Sequence, residues 1–272
     1  MTDIIPIENL LERSQSYQKI YKNALPYPHI VLDNFFPEEM VNEVLSEFPS
    51  ASSNWSVNWN LKDEIKSLSK GEEMFGEKTK MLSRYLNSEP FLFFLEKLTG
   101  IKNLIPDPHF SGGGFHQIKR GGYLKIHADF NKHKETNLDR RLNVLIYLNK
   151  NWKEEYGGHF ELWDKEMTGA VKKILPVFNR MVVFSTTTFS FHGHPDPLNC
   201  PEGETRKSLA FYYYTNGRPE EEVVPGMELH DTLFQKRKNE KYDNAFKKEI
   251  FKERIKYFIP PFLVDLLRKI MR

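Results

Sequence analysis

The residues best suited to chemistry lie in Gly121–Phe130, where His127 and Asp129 are separated by a single residue. On an extended strand, residues i and i+2 project from the same face. One imidazole and one carboxylate then aim at a common point, which is half of a metal site. Alone, His-x-Asp is a weak signal, common by chance. It gains weight from His192, near the end of a later strand. An iron(II) ion that activates oxygen needs two histidines and one carboxylate on one side, with its other positions open. Antiparallel folding can bring such distant strands together. His194 stands two residues past His192 and is an alternative ligand if that segment is extended.

A second group follows at Arg206–Tyr214. Arg206, Ser208, Ala210 and Tyr212 share one face of a strand. An arginine at the deep end of a barrel can hold the far carboxylate of a dicarboxylate in bidentate fashion, and Ser208 adds a hydroxyl. Lys207 is the alternative anchor. The strand Leu142–Leu148 puts Asn143, Leu145 and Tyr147 on one face, with only Leu, Val and Ile on the other. A tyrosine hydroxyl on such a strand needs a partner, and the same carboxylate can supply it.

The elements that must position these groups fall into two textures. Up to Gly100 the pattern is helical. Ile7 to about Lys22 reads as a helix, Tyr27–Asp33 as a short strand, and Pro37 opens a helix with Met40, Val41, Val44, Leu45 and Phe48 on one face. Residues 51–76 read as a polar, loop-rich stretch carrying Trp55 and Trp59. Ser88, Pro90 and Gly100 bracket a buried helix over Phe91–Leu98. After Gly100, short runs rich in Val, Ile, Phe and Tyr are separated by Gly, Pro and Asn. The expected strands are Gly114–Lys119, Tyr123–Asp129, Arg141–Leu148, Gly158–Trp163, Arg180–Ser185 and Lys207–Thr215. Helices first and strands afterwards favour an antiparallel sandwich or barrel backed by helices. Asn131–Lys134, just past the ligand pair, is expected to start a mobile loop over the entrance.

Composition sets outer limits. The 272 residues carry a formal net charge of +2, which gives no electrostatic case for nucleic acid. From Gln235 to Arg272, twelve Lys/Arg face five Asp/Glu. Asp231–Glu253 reads as a solvated helix, and Phe262–Arg272 as a basic amphipathic one suited to a membrane surface or an acidic partner. Cys200 is the one cysteine, so an intramolecular disulfide is excluded. The N-terminus lacks a signal-peptide pattern, and no apolar run approaches the ~20 residues of a membrane span. A cytoplasmic location is expected.

Taken in order, these motifs resemble the iron(II)/2-oxoglutarate-dependent dioxygenases, in particular the prolyl-4-hydroxylase-like branch. The resemblance runs from about Tyr27 to Thr215. It is carried by Tyr27–Pro37, His127-Ala128-Asp129, Leu145–Asn149, Gly157–Leu162, Asn179–Phe184 leading to His192, and Arg206-x-Ser208. It implies an α+β chain, mainly β with flanking helices, whose core is a double-stranded β-helix (jelly roll). It implies Fe(II) on His127, Asp129 and His192, with 2-oxoglutarate and O2 as cosubstrates and ascorbate as a further candidate. Arg206, Tyr147 and Ser208 would hold 2-oxoglutarate. Gln117, ten residues before His127 where some relatives have a tyrosine, would add a polar contact. The implied reaction is hydroxylation of an unactivated C–H bond in a prolyl or other protein residue, or in a small molecule. The corresponding domain is 1–218, helical over 1–100 and jelly roll over 101–218, followed by a basic helical extension over 219–272. The rival reading is a non-oxidative jelly-roll metalloprotein, such as an isomerase or a sugar-binding module, which would keep a metal without needing Arg206.

Overall fold

A computed structural model of the chain describes residues 4–5 and 7–238. Four helices come first: α1 (Ile7–Lys22), α2 (Glu38–Ser46), α3 (Glu77–Leu86) and α4 (Glu89–Thr99). Three strands lie among them: β1 (His29–Asp33), β2 (Val57–Asn60) and β3 (Ile65–Leu68). The rest is β: β4 (Ile105–Pro106), β5 (Gly114–Lys119), β6 (Leu124–Ala128), β7 (Asp139–Tyr147), β8 (Phe160–Trp163), β9 (Ala170–Ile174), β10 (Arg180–Ser185), β11 (His192–His194), β12 (Thr205–Thr215) and β13 (Leu233–Phe234).

Among the described residues the strands form two antiparallel sheets of a jelly-roll-like core. The larger runs β1-β10-β7-β12-β5-β3-β2, with β4 beside β12. The smaller runs β13-β6-β11-β8-β9. Period-two alternation decides which side chains meet which layer. On β7, Leu142, Val144 and Ile146 join Leu209, Phe211 and Tyr213 of β12 in the core shared with α1–α4, including Leu10, Val41, Leu82 and Phe91. Their neighbours Asn143, Leu145 and Tyr147 face the other way, into the space between the sheets. Helix α4 starts after Ser88, carries Pro90 in its first turn and stops at Gly100, whose φ of 83° suits a residue without Cβ.

Three elements go beyond the sequence expectation. Residues 51–76 are not simply a loop: β2 and β3 form a hairpin that joins the large sheet through Ser67 opposite Gln117, so the stretch 1–100 is not purely helical. Helix α3 has no capping side chain of its own at Gly76. Glu47, from the end of α2, accepts instead from Lys78 N at 2.9 Å and Thr79 N at 2.8 Å. The cap is supplied from thirty residues upstream, so no local pattern announces it. Strand β9 is largely exposed and carries Lys172 and Lys173 in its centre, which hides it from a hydrophobic-pattern reading.

The boundary expected at 218/219 does not mark a structural break. Leu233 and Phe234 pair with Ala128 and His127, adding β13 to the edge of the small sheet. Asp231–Lys238 therefore contains a strand where a helix was expected. The remainder of that helix and the Phe262–Arg272 segment lie outside the described residues. No helix among the described residues is long and apolar enough to cross a membrane.

Candidate metal and dicarboxylate site

The small sheet holds the metal triad. His127 on β6 and His192 on β11 are direct cross-strand partners, and their rings lie 4.5 Å apart. Asp129 follows directly after β6. One ligand atom from each of His127, Asp129 and His192 lies within 4.8 Å of the others. His192 sits in its own three-residue strand rather than at the end of β10. Each histidine is set by the backbone: His127 Nδ1 donates to the Lys125 carbonyl at 2.8 Å, and His192 Nδ1 to the Ser190 carbonyl at 2.8 Å. A carbonyl only accepts, so the proton sits on Nδ1 and Nε2 keeps its lone pair for a metal. Burial, more than any neighbour, lowers the His192 pKa to about 4, which keeps that lone pair free at neutral pH. Burial would raise Asp129, but the guanidinium of Arg140, foremost among its neighbours, overcomes it, and its pKa falls well below the usual range. The triad therefore offers two imidazole nitrogens and one carboxylate, the donor set that suits iron(II).

The large sheet supplies the second half. Arg206 on β12 is 4% exposed. Its Nε donates to the Gly158 carbonyl at 2.8 Å and its Nη2 to the Tyr147 hydroxyl at 3.3 Å. Ser208 is the cross-strand partner of Tyr147, so Arg206, Tyr147 and Ser208 share one face between the sheets. Among the described residues no carboxylate pairs with Arg206, and burial lowers its pKa. A buried guanidinium held by neutral groups alone leaves its charge for an anion from outside. Gly158 is part of this cradle. It adopts φ +70°, and a Cβ there would come within 2.5 Å of Leu198 Cδ2 and 3.0 Å of Arg206 Cδ. These residues fit a dicarboxylate that reaches from a triad-bound metal to Arg206.

Strand register corrects one sequence assignment and turns one alternative away from the site. Gln117 lies opposite Lys207, whereas His116 lies opposite Ser208. Gln117 therefore faces away from Arg206, and its Nε2 donates to the Pro49 carbonyl at the end of α2. His116 takes the place on the pocket face instead. Lys207 also points to the far side, its Nζ donating to the Thr205 carbonyl at 3.2 Å, which leaves Arg206 alone as a guanidinium or ammonium on the inner face of this strand segment. The expected mobile loop is tied down. Asn131 Nδ2 donates to the Met227 and Glu228 carbonyls at 3.1 and 3.2 Å, and its Oδ1 accepts from His230 N at 2.9 Å. His133 contacts Ser111 Oγ at 2.7 Å.

Several contacts around the triad escaped the sequence reading. Asn143 Nδ2 donates to Asp129 Oδ2 at 2.7 Å. Arg140 Nε and Nη2 donate to Asn143 Oδ1 at 3.0 and 2.8 Å, and Nη2 also lies 3.2 Å from Asp129 Oδ2. The Arg140 guanidinium stacks 3.5 Å above the Tyr212 ring. Asn143 was legible as a polar residue on the pocket face. Arg140, at the start of its strand, gave no comparable signal. Phe234 of β13 packs its ring 5.5 Å from His127 and arrives from a segment taken to be separate.

Residues 113–214 match the 2OG-Fe(II) oxygenase superfamily. A curated relative, the prolyl 3-hydroxylase OGFOD1 of Mus musculus, is 24% identical over 205 residues, covering 73% of this chain and 35% of that protein. The chain thus spans about a third of the length of this relative. Among solved structures, a Trichoplax adhaerens prolyl hydroxylase in complex with a hypoxia inducible factor oxygen degradation domain peptide superposes with a TM-score of 0.52 at 20% identity, covering 76% of this chain and 91% of that one. HygX from Streptomyces hygroscopicus, with nickel and 2-oxoglutarate bound, superposes with a TM-score of 0.50 at 10% identity, covering 82% and 96%. At these identities the two structures speak for the fold.

Proposed function

The chain belongs to the 2OG-Fe(II) oxygenase superfamily through residues 113–214, and from that premise we propose that it is a hydroxylase acting on an unactivated C–H bond, with a prolyl residue in a protein as its first candidate substrate. The observation that carries this reading is the pairing of the His127–Asp129–His192 triad with a buried Arg206 that has no anionic partner among the described residues. A non-oxidative metalloprotein has no use for the second feature. In this reading the core is a double-stranded β-helix proper.

In this reading, His127, Asp129 and His192 hold iron(II). Arg206 holds the C5 carboxylate of 2-oxoglutarate, with Tyr147 and Ser208 beside it. When bound, iron(II), 2-oxoglutarate and O2 supply the oxidant: one oxygen atom enters the substrate C–H bond and the other enters succinate as CO2 leaves. Asn143 and Arg140 orient the Asp129 carboxylate. Phe160 and Phe184, whose rings lie 5.4 and 4.8 Å from His192, exclude water from the back of the triad and so strengthen its electrostatics. The prolyl assignment is supported by the activity named for the mouse relative.

The test is anaerobic loading with Fe(II), followed by 2-oxoglutarate titration and then exposure to O2 with proline-containing peptides and small-molecule pools. The expected result is 2-oxoglutarate uptake, and succinate release that rises with a substrate that gains one oxygen atom. Iron binding without any 2-oxoglutarate uptake would sink this reading in favour of the non-oxidative one.

A further inference from the structure

One polar side chain between the two halves of the site has no partner among the described residues. His194 on β11 is 3% exposed, and among the described residues neither Nδ1 nor Nε2 has a hydrogen-bond partner. The other buried or half-buried histidines nearby do not share this state. His29, His116, His127, His192 and His230 each engage at least one ring nitrogen with a neighbour. An imidazole desolvated on both nitrogens is costly, and such groups usually have a partner that is absent from the protein itself.

Strand register locates it. On β11, His192 lies opposite Leu162 of β8 and Gly193 opposite Glu161. Moving from His192 to His194 therefore runs toward the Phe160 end of β8. Beyond that end lies Gly158, whose carbonyl accepts from Arg206. His194 thus stands between the metal triad and the arginine. It is not a member of the triad, whose converging ligand atoms are those of His127, Asp129 and His192, and the pairing shifts register between His192 and His194. A side chain on Gly193 would come within 2.8 Å of the Leu124 and Lys125 carbonyls, so this close strand crossing fixes the different placement of the two rings.

We propose that His194 is a further cosubstrate-contacting residue, donating a hydrogen bond to an oxygen of the 2-oxo dicarboxylate that spans the triad and Arg206. This rests on the function proposed above. A neutral imidazole offers one N–H and one lone pair, and a dicarboxylate presents only acceptors. The donating nitrogen is satisfied by 2-oxoglutarate, and the ligand in turn gains a third kind of donor besides the guanidinium and the hydroxyls. His194 then sharpens selection for a 2-oxo dicarboxylate over other small acids.

The test uses the full chain loaded anaerobically with Fe(II), and reads 2-oxoglutarate affinity from the visible charge-transfer band together with iron affinity from metal titration. His194→Phe removes the donor while keeping a ring. It is expected to weaken 2-oxoglutarate by about 10-fold, the loss of one hydrogen bond, and to leave iron affinity unchanged. His194→Gln keeps an N–H donor and is expected to recover most of the loss. Equal 2-oxoglutarate affinity in wild type and His194→Phe would overturn the inference while leaving the proposed function intact. So would a parallel loss of iron, or a His194→Gln variant no better than His194→Phe, since both point to a packing role. A wild-type protein that binds iron but takes up no 2-oxoglutarate overturns both.

Discussion

Two arginines are buried between the sheets, and they are treated in opposite ways. Arg140 is 1% exposed and fully answered: it pairs with Asp129, donates twice to Asn143 and stacks on Tyr212. Burial pulls its pKa down, but the Asp129 carboxylate beside it outweighs that and the net shift is upward. Arg206 is 4% exposed and, among the described residues, answered only by a carbonyl and a phenol. Burial lowers its pKa with no carboxylate to reverse it. Both sit on adjacent strands of the large sheet, so the difference is not one of fold. A charge compensated inside the protein stabilises it and orients its partner. An uncompensated buried charge is a standing cost in the ligand-free protein, and it is repaid when an anion arrives.

The largest effects should come from Asp129, which serves both the metal and Arg140. Asp129→Ala is expected to abolish iron binding, measured by metal titration. It also strands the Arg140 charge, so the metal-free protein should lose about 3–5 kcal/mol in urea unfolding. Arg206→Leu is next. It should weaken 2-oxoglutarate by about 100-fold or more, the usual scale for losing one side of a buried charge pair, while iron affinity is retained. The ligand-free variant should be as stable as wild type or more so, because an unpaired buried charge has gone. Arg140→Leu should do the reverse: a clear drop in the stability of the metal-free protein, about 3 kcal/mol, with a smaller drop once a metal cation neutralises Asp129. If both arginine variants destabilised the ligand-free protein equally, the distinction between them would fail.

The two arginines also measure what a sequence makes legible. Arg206 could be found because it opens an apolar strand in step with Ser208, and alternation alone told which neighbours share its face. The same alternation exposed Asn143 and Tyr147 on β7 and the helix-facing Leu142, Val144 and Ile146. Alternation is a local property, and local properties survive in one dimension. Arg140 was missed because its partners come from Asp129, Asn143 and Tyr212, which only tertiary structure brings together. Gln117 was misassigned by one position for the same reason. A one-residue change of register turns a side chain to the opposite face. Helix α3 depends on a cap from Glu47, and β13 joins the sheet from a charged segment that carries no β pattern. These misses are long-range partnerships, whereas β9 is hidden locally, by Lys172 and Lys173 at its centre.

A third arginine provides the small end of the scale. Arg180 on β10 grips Asp33 on β1 with both ends of its fork, Nε to Oδ1 at 2.5 Å and Nη2 to Oδ2 at 2.8 Å, but the Asp33 side chain is 53% exposed. The geometry is better than that of either buried arginine, yet water and salt screen it, and such pairs are worth about 0–1 kcal/mol. The hydrogen bonds from Arg180, more than its charge, lower the Asp33 pKa below its ordinary value of 3.8. With a folded value lower than the unfolded one, the contribution is fully present above 3.8 and is lost as the pH falls through the depressed folded value. Arg180→Gln should therefore shift the urea midpoint slightly at neutral pH, and the difference from wild type should shrink with added salt and vanish in strong acid. A loss in Arg180→Gln as large as that in Arg140→Leu would mean that hydrogen-bond geometry, not burial, sets the worth of these arginines. The cost assigned to Arg206 in the ligand-free protein would then lose its basis.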